Sequence, residues 1–276
     1  MGRRREGISV LFGKATNLTR FRIAAQTRCF AQPFKKALHT AARLGCVGVQ
    51  IDARNELRPG ELSETGLRQL RKMLVDLNIR VGSVAFPTRR GYADPNDLQR
   101  RIEATLQAMR LASKLSARIL VFNLGQLPVA DSAGRAILSE AICSLASQGN
   151  RLGVRLAAQT SNTDSRRIVE FIESLPEGTL SLDLHPARLI AQGHSPAEFV
   201  ATAGRHIAHV HATDGVYDLA SGYGVEVELG RGTADFPVLL GMLEEHEYRD
   251  WLTIERRDST QPMEDIGNAV QYLRSL

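Results

Sequence analysis

The sequence predicts a single α/β barrel of eight parallel strands, a (β/α)8 or TIM barrel over residues 21–276, behind a short basic and flexible arm at 1–20. Three observations carry this expectation. Eight short β-branched or alternating runs are each followed by a longer stretch with helical spacing and a helix start signal. The units recur at roughly 25 to 35 residues, the spacing of parallel strands joined by right-handed crossovers. The first run continues into QTRCFAQPF, which lacks the glycine-rich phosphate loop that usually follows the first strand of an open doubly wound sheet.

Taken in order, FRIAAQ (21–26) leads into the helical spacing of PFKKALHTAARLG, which stops at Gly45. VGVQID (47–52) precedes a helix opened by Ser63-Glu64 and closed at Asn78. IRVGSVAF (79–86) precedes a helix expected to start at Asp94-Pro95, and ARILVFN (117–123) precedes one expected to close near Gly149. VRLAAQ (154–159) is followed by TDSRRIVEFIESL, and LSLDLH (180–185) by a helix opened by Ser195-Pro196. HIAHVHATD (206–214) is followed by the longest non-helical insertion, 214–236, at a level where barrels place lids and substrate contacts. WLTIERR (251–257) and a last helix complete the set.

With 276 residues, 43% hydrophobic and 24% charged, the composition is that of a globular chain with ample material for a core. No apolar run reaches the roughly 20 residues of a membrane span. The apolar stretch from Ile8 to Phe12 is too short for an export signal, so cytoplasmic residence and no membrane partner are expected. Cys29, Cys46 and Cys143 are odd in number and widely spaced, which fits free thiols better than a disulfide framework or a thiolate zinc site. The pI is about 9.4, yet residues 1–30 carry seven basic groups against one acid while the whole chain is only +5. The body is therefore near neutral, unlike a surface that tracks phosphates, and no nucleic-acid partner is expected.

Alternation within the runs selects one face of each strand. The fifth offers Arg155, Ala157 and Gln159, the sixth Ser181, Asp183 and His185, the seventh His209 and His211, and the eighth Thr253, Glu255 and Arg257. Gln26, Gln50 or Asp52, and Asn123 end earlier strands. So many polar groups converging at one end of a barrel need partners, and an ion or polar ligand would supply them. Asp183, His211 and Glu255, with an oxygen from Gln159, form a mostly oxygen set suited to Mn²⁺, Mg²⁺ or a similar divalent ion, with Zn²⁺ also compatible. The plainer reading is ion pairing, Asp183 with Arg155 and Glu255 with Arg257.

SLDLHPARLIAQGHSPAEF, HIAHVHATDG, GVEVELGRGTADFPVLLGMLEE and WLTIERRDS, in this order, resemble the second half of the xylose-isomerase-like TIM barrels. These are the sugar phosphate isomerases and epimerases related to tagatose and psicose epimerases, inosose dehydratase and endonuclease IV. GYADPNDLQRRIEATLQAMRLASKLSARILVFNLGQLP resembles the third helix and fourth strand of the same barrels, so the likeness covers residues 20 to 276. The resemblance implies a divalent metal held by Gln159, Asp183, His211 and Glu255, where the family has Glu in place of Gln159. It implies Glu255 as a base, His185 as a candidate catalytic histidine one residue short of the family's DxxH spacing, and Asp214 as a group orienting a ligand. Asn123, Arg231 and Arg257 are candidate substrate contacts, and pairing into a homo-oligomer is the analogy from related barrels.

The implied activity is isomerisation or epimerisation of a sugar or sugar phosphate, or dehydration, by proton transfer next to a carbonyl. An amide accepts no proton at ordinary pH and lowers the charge of the ligand set, so metal binding is expected to be weakened or lost. The alternative is a barrel that binds a sugar-like ligand without turning it over. A repair nuclease needs a trinuclear zinc cluster with early-strand histidines, whereas six of the seven histidines here lie after residue 180.

Overall fold

The computed structural model describes residues 21–160, 164–218, 220 and 222–276, so the expected arm at 1–20 lies outside the described residues. Among the described residues ten strands run in chain order: β1 (Arg22–Gln26), β2 (Gly48–Asp52), β3 (Arg80–Phe86), β4 (Ile119–Gly125), β5 (Arg155–Thr160), β6 (Ser181–Leu184), β7 (Ile207–Ala212), β8 (Asp214–Asp218), β9 (Tyr223–Val227) and β10 (Trp251–Ile254). Eight of them close a parallel barrel, β1 to β7 with β10, in which β1 pairs with both β2 and β10. The helices α1 (Phe34–Arg43), α2 (Glu64–Asp76), α3 (Leu98–Lys114), α4 (Ala133–Leu152), α5 (Ser165–Glu173), α6 (Pro186–Ala191), α7 (Pro196–Ala203), α8 (Phe236–Glu245) and α9 (Pro262–Ser275) fill the crossovers. Among the described residues no helix is long and apolar enough to cross a membrane.

Several boundaries differ from expectation for local reasons. Ser63 and Ser195 cap α2 and α7 as expected, each accepting from the N–H three residues on. Asp94 instead accepts from the Asn96 N–H in a turn, and α3 starts only after Asp97. Gly149 does not end α4: a Cβ there would lie 2.4 Å from the Val154 carbonyl, and the helix runs on to a left-handed cap at Gly153. The non-helical insertion at 214–236 carries a hairpin that the sequence reading did not specify, with β8 and β9 paired antiparallel.

Alternation splits the strands as a barrel requires. Leu120 and Phe122 of β4 join the main core under the helices, while Ile119 and Val121 pack with Ala157 and Ala208 in a separate small cluster. The Trp251 ring, with the Arg22 guanidinium 4.5 Å from its centroid, fills the space that side chains at Gly48 and Gly82 would need. A Cβ at Gly48 would fall 2.3 Å from the ring, so Gly48→Ala is expected to cost about 1–3 kcal/mol by overpacking. A lowered denaturant midpoint at unchanged m would show it.

Candidate active site at the carboxyl ends of the strands

Strand register brings the polar side chains to one level. Cα partners run Gln26 to Gln50, Gln50 to Ser83, Asn123 to Gln159, Gln159 to Asp183, Asp183 to His209 and His211 to Thr253. A register shift between Leu182 and Asp183 places His209 beside Asp183. Gln50, Ser83, Asp183, His185, His209, His211, Thr253 and Glu255 are all buried.

Asp183 organises one half of the network. Its Oδ1 lies 2.6 Å from His209 Nδ1, and its Oδ2 lies 2.8 Å from His211 Nδ1. His209 Nε2 then meets Ser83 Oγ at 3.0 Å and Thr253 Oγ1 at 2.9 Å. His211 Nε2 faces Gln50 Oε1 at 3.0 Å, and that oxygen also accepts from Gln26 Nε2 at 2.7 Å. The expected alternative partner, Arg155, is exposed at the other end of its strand and leaves Asp183 to the histidines.

Glu255 organises the other half. Its Oε2 lies 3.3 Å from His211 Nε2 and 3.5 Å from His185 Nε2, while its Oε1 accepts from Arg257 Nε. His185 Nδ1 meets Thr213 Oγ1 at 3.1 Å. Glu255 Oε2 and His185 Nε2 are both buried and lack a hydrogen-bond partner among the described residues, which makes them the atoms a ligand would satisfy.

The remaining expected residues have other company. Gln159 Oε1 accepts from Arg188 Nη1 at 2.8 Å, so a cation occupies the oxygen expected to face a metal. Arg188 follows the strand on α6, where strand alternation gives no signal. Asp214 does not reach His211: its carboxylate accepts from the backbone N–H groups of Gly215, Gly230, Gly232 and Ala234, tying the hairpin segment to the barrel. Asn123 is turned toward its own loop, with Oδ1 accepting from Gly125 N at 3.0 Å. Arg231 is exposed, whereas Gln159 and Arg257 both line a cavity of about 600 Å³ over the strand ends. Cys29 lines it too, its thiol pushed up to about 12 chiefly by burial.

The electrostatics follow from burial and partners. Burial pushes Asp183 up, but the His211 charge and the hydrogen bonds from His209 and His211 outweigh it and hold the carboxyl well below its ordinary value. Glu255 is likewise depressed, with His211, His185 and Arg257 outweighing its burial. Burial pulls His185 down to about 4 against the attraction of Glu255, and it lowers His209 in the same way. All four groups bind protons more weakly in the fold than in the unfolded chain, so stability falls with falling pH. For His185 the window opens near its ordinary 6.5 and closes near 4, at up to about 1.4 kcal/mol per pH unit. The melting temperature is expected to drop between pH 7 and 4, with a shallower drop in His185→Gln.

Among the described residues two groups of side chains could hold a metal ion: Asp183, His209 and His211, and His185, His211 and Glu255. The second fits better. It presents two nitrogens and one oxygen within 4.8 Å of one another, two of them without partners, a donor set suited to a borderline divalent ion. The Asp183 oxygens are already engaged by two imidazoles, and the Gln159 oxygen by Arg188.

A closed parallel barrel that gathers its buried polar side chains at the carboxyl mouth has the layout of a TIM barrel, which builds its site from the strand ends. More narrowly, the chain belongs to the xylose isomerase-like TIM barrel family, whose sequence profile matches residues 38–276. A xylose isomerase domain protein from Planctomyces limnophilus shares the fold at a TM-score of 0.81 and 20% identity, covering 93% of this chain and 97% of its own. A xylose isomerase-like TIM barrel protein from Mycobacterium smegmatis in complex with magnesium follows at 0.75 and 17%, covering 92% and 97%. A D-psicose 3-epimerase in the presence of D-fructose stands at 0.74 and 16%, covering 92% and 99%. No curated protein sequence matches this chain.

Proposed function

We propose that this protein moves a proton next to the carbonyl of a sugar or sugar phosphate, as an isomerase or epimerase, with Glu255 as the base. The observation that carries the reading is the facing pair of buried, unpartnered atoms, Glu255 Oε2 and His185 Nε2. Arg257 fixes the other carboxylate oxygen, so Oε2 is oriented and ionised, ready to accept a proton. His185, neutral near pH 7, has Nε2 free for a substrate hydroxyl.

A divalent ion would be an alternative occupant of these same atoms, held by His185 and Glu255 together with His211, with Asp183 orienting His211 through Nδ1 as a supporting carboxylate. When bound it would polarise the substrate carbonyl. In this reading Gln159 positions Arg188 and leaves the metal alone. Gln159→Glu by itself is expected to pair with Arg188 and change metal affinity little. Combined with Arg188→Ala, it is expected to raise affinity by on the order of tenfold. Calorimetric titration of Mn²⁺ into both variants checks this, and an equal gain in each would contradict it.

A second reading, a barrel that binds a sugar-like ligand without turnover, is favoured by two features. Gln159 accepts no proton, and the strong depression of Glu255 makes it a weak base. Turnover on a panel of aldoses, ketoses and their phosphates, abolished by Glu255→Gln, separates the two.

A further inference from the structure

The cavity over the strand ends has a one-sided charge balance that proton transfer does not use. Arg28, Arg54, Arg89, Arg256 and Arg257 line it against a single acid, Asp52. Three of these arginines are neutralised: Arg28 by Asp52 at 2.8 Å, Arg256 by Glu226 and Asp265 at 2.8 and 2.9 Å, and Arg257 by Glu255. Asp52 is saturated, since Oδ1 accepts from the N–H groups of Arg54 and Asn55 while Oδ2 accepts from Arg28 and the Asn55 amide.

The other two keep their charge. Arg54 is half-buried, and its Nη1 donates to the Pro87 carbonyl at 2.8 Å, a neutral partner that fixes the guanidinium without cancelling it. Arg89 stands exposed two residues beyond Pro87 on the same wall, with no ion pair among the described residues. A neutral sugar would leave two like charges facing one concave space, whereas an anion would relieve their repulsion and accept from both forks. A volume of about 600 Å³ has room for a carbohydrate carrying such a group. Arg257, which holds Glu255, lines the same cavity, so the anion would be held beside the reacting end.

We propose that Arg54 and Arg89 bind a phosphate or carboxylate group of the substrate. The carbohydrate part of that substrate rests on the proton-transfer reading; the anion site itself does not. Calorimetry on the full chain with D-fructose 6-phosphate, D-gluconate and D-fructose tests it, with inorganic phosphate as competitor. At least one anion should bind about 10- to 100-fold tighter than D-fructose and be displaced by inorganic phosphate. Its identity distinguishes a phosphate site from a carboxylate site. Arg89→Ala, an exposed change that leaves the fold intact, should remove most of the preference, and Arg54→Lys part of it.

Equal affinity for D-fructose and both anions, binding of neither anion, or wild-type affinity in Arg89→Ala and Arg54→Ala alike would overturn the proposal. Anion binding lost in Arg89→Ala, but without any proton exchange on a carbohydrate, would uphold the anion site and overturn the isomerase reading. Exchange on neutral sugars with no preference for anions would do the reverse.

Discussion

Replacing Glu255 by glutamine is expected to slow proton transfer by about 10²- to 10⁴-fold, the usual worth of a positioned general base. The substitution keeps the shape of a side chain that is 2% exposed and removes its basicity. A glutamine oxygen still accepts from Arg257, and its amide fits beside His185 and His211 only by redirecting their hydrogen bonds. The loss should therefore appear in kcat rather than KM, because the group acts on the migrating proton and not on the rest of the sugar. A loss confined to KM would recast Glu255 as a binding residue.

Asp183→Ala is expected to cost about 3–5 kcal/mol of stability, the range for removing one partner of a buried charge network. Both imidazoles depend on this carboxylate at Nδ1, and both rings are fully buried, so its loss strands two polar groups away from water. His209 would keep Ser83 and Thr253 at Nε2, while His211 would keep Gln50, which limits the damage to one side of each ring. Asp183→Asn should cost less, since its oxygen can still accept from one ring. Denaturant unfolding of the two variants gives the ordering, and a loss below about 1 kcal/mol for Asp183→Ala would show that the network is not what holds β6 and β7 in place.

The barrel was legible because its signals are local and repeated: alternating runs, helical spacing and caps such as Ser63 and Ser195 depend on neighbours in sequence. The hairpin of β8 and β9 was not, because its stability comes from packing on α6 and from Asp214 reaching amides 16 to 20 residues away. Alternation alone placed Asp183, His209, His211, Thr253 and Glu255 on one face, and they do meet in one network. It could not assign them partners. The register shift that sets His209 beside Asp183 is a property of two strands together, and Arg188 enters from a helix turn beyond any strand pattern. Gln159 shows the difference most clearly. Its position at the strand end followed from period two, while its partner required three dimensions.

Solvent-deuterium incorporation tests the central claim most directly. The protein is incubated in D₂O with aldoses, ketoses, their phosphates and sugar acids, and deuterium at the carbon beside the carbonyl is followed by NMR. Incorporation is expected with at least one compound in the wild type and is expected to be lost in Glu255→Gln. Incorporation with none of them, or at equal rates in wild type and Glu255→Gln, would contradict it.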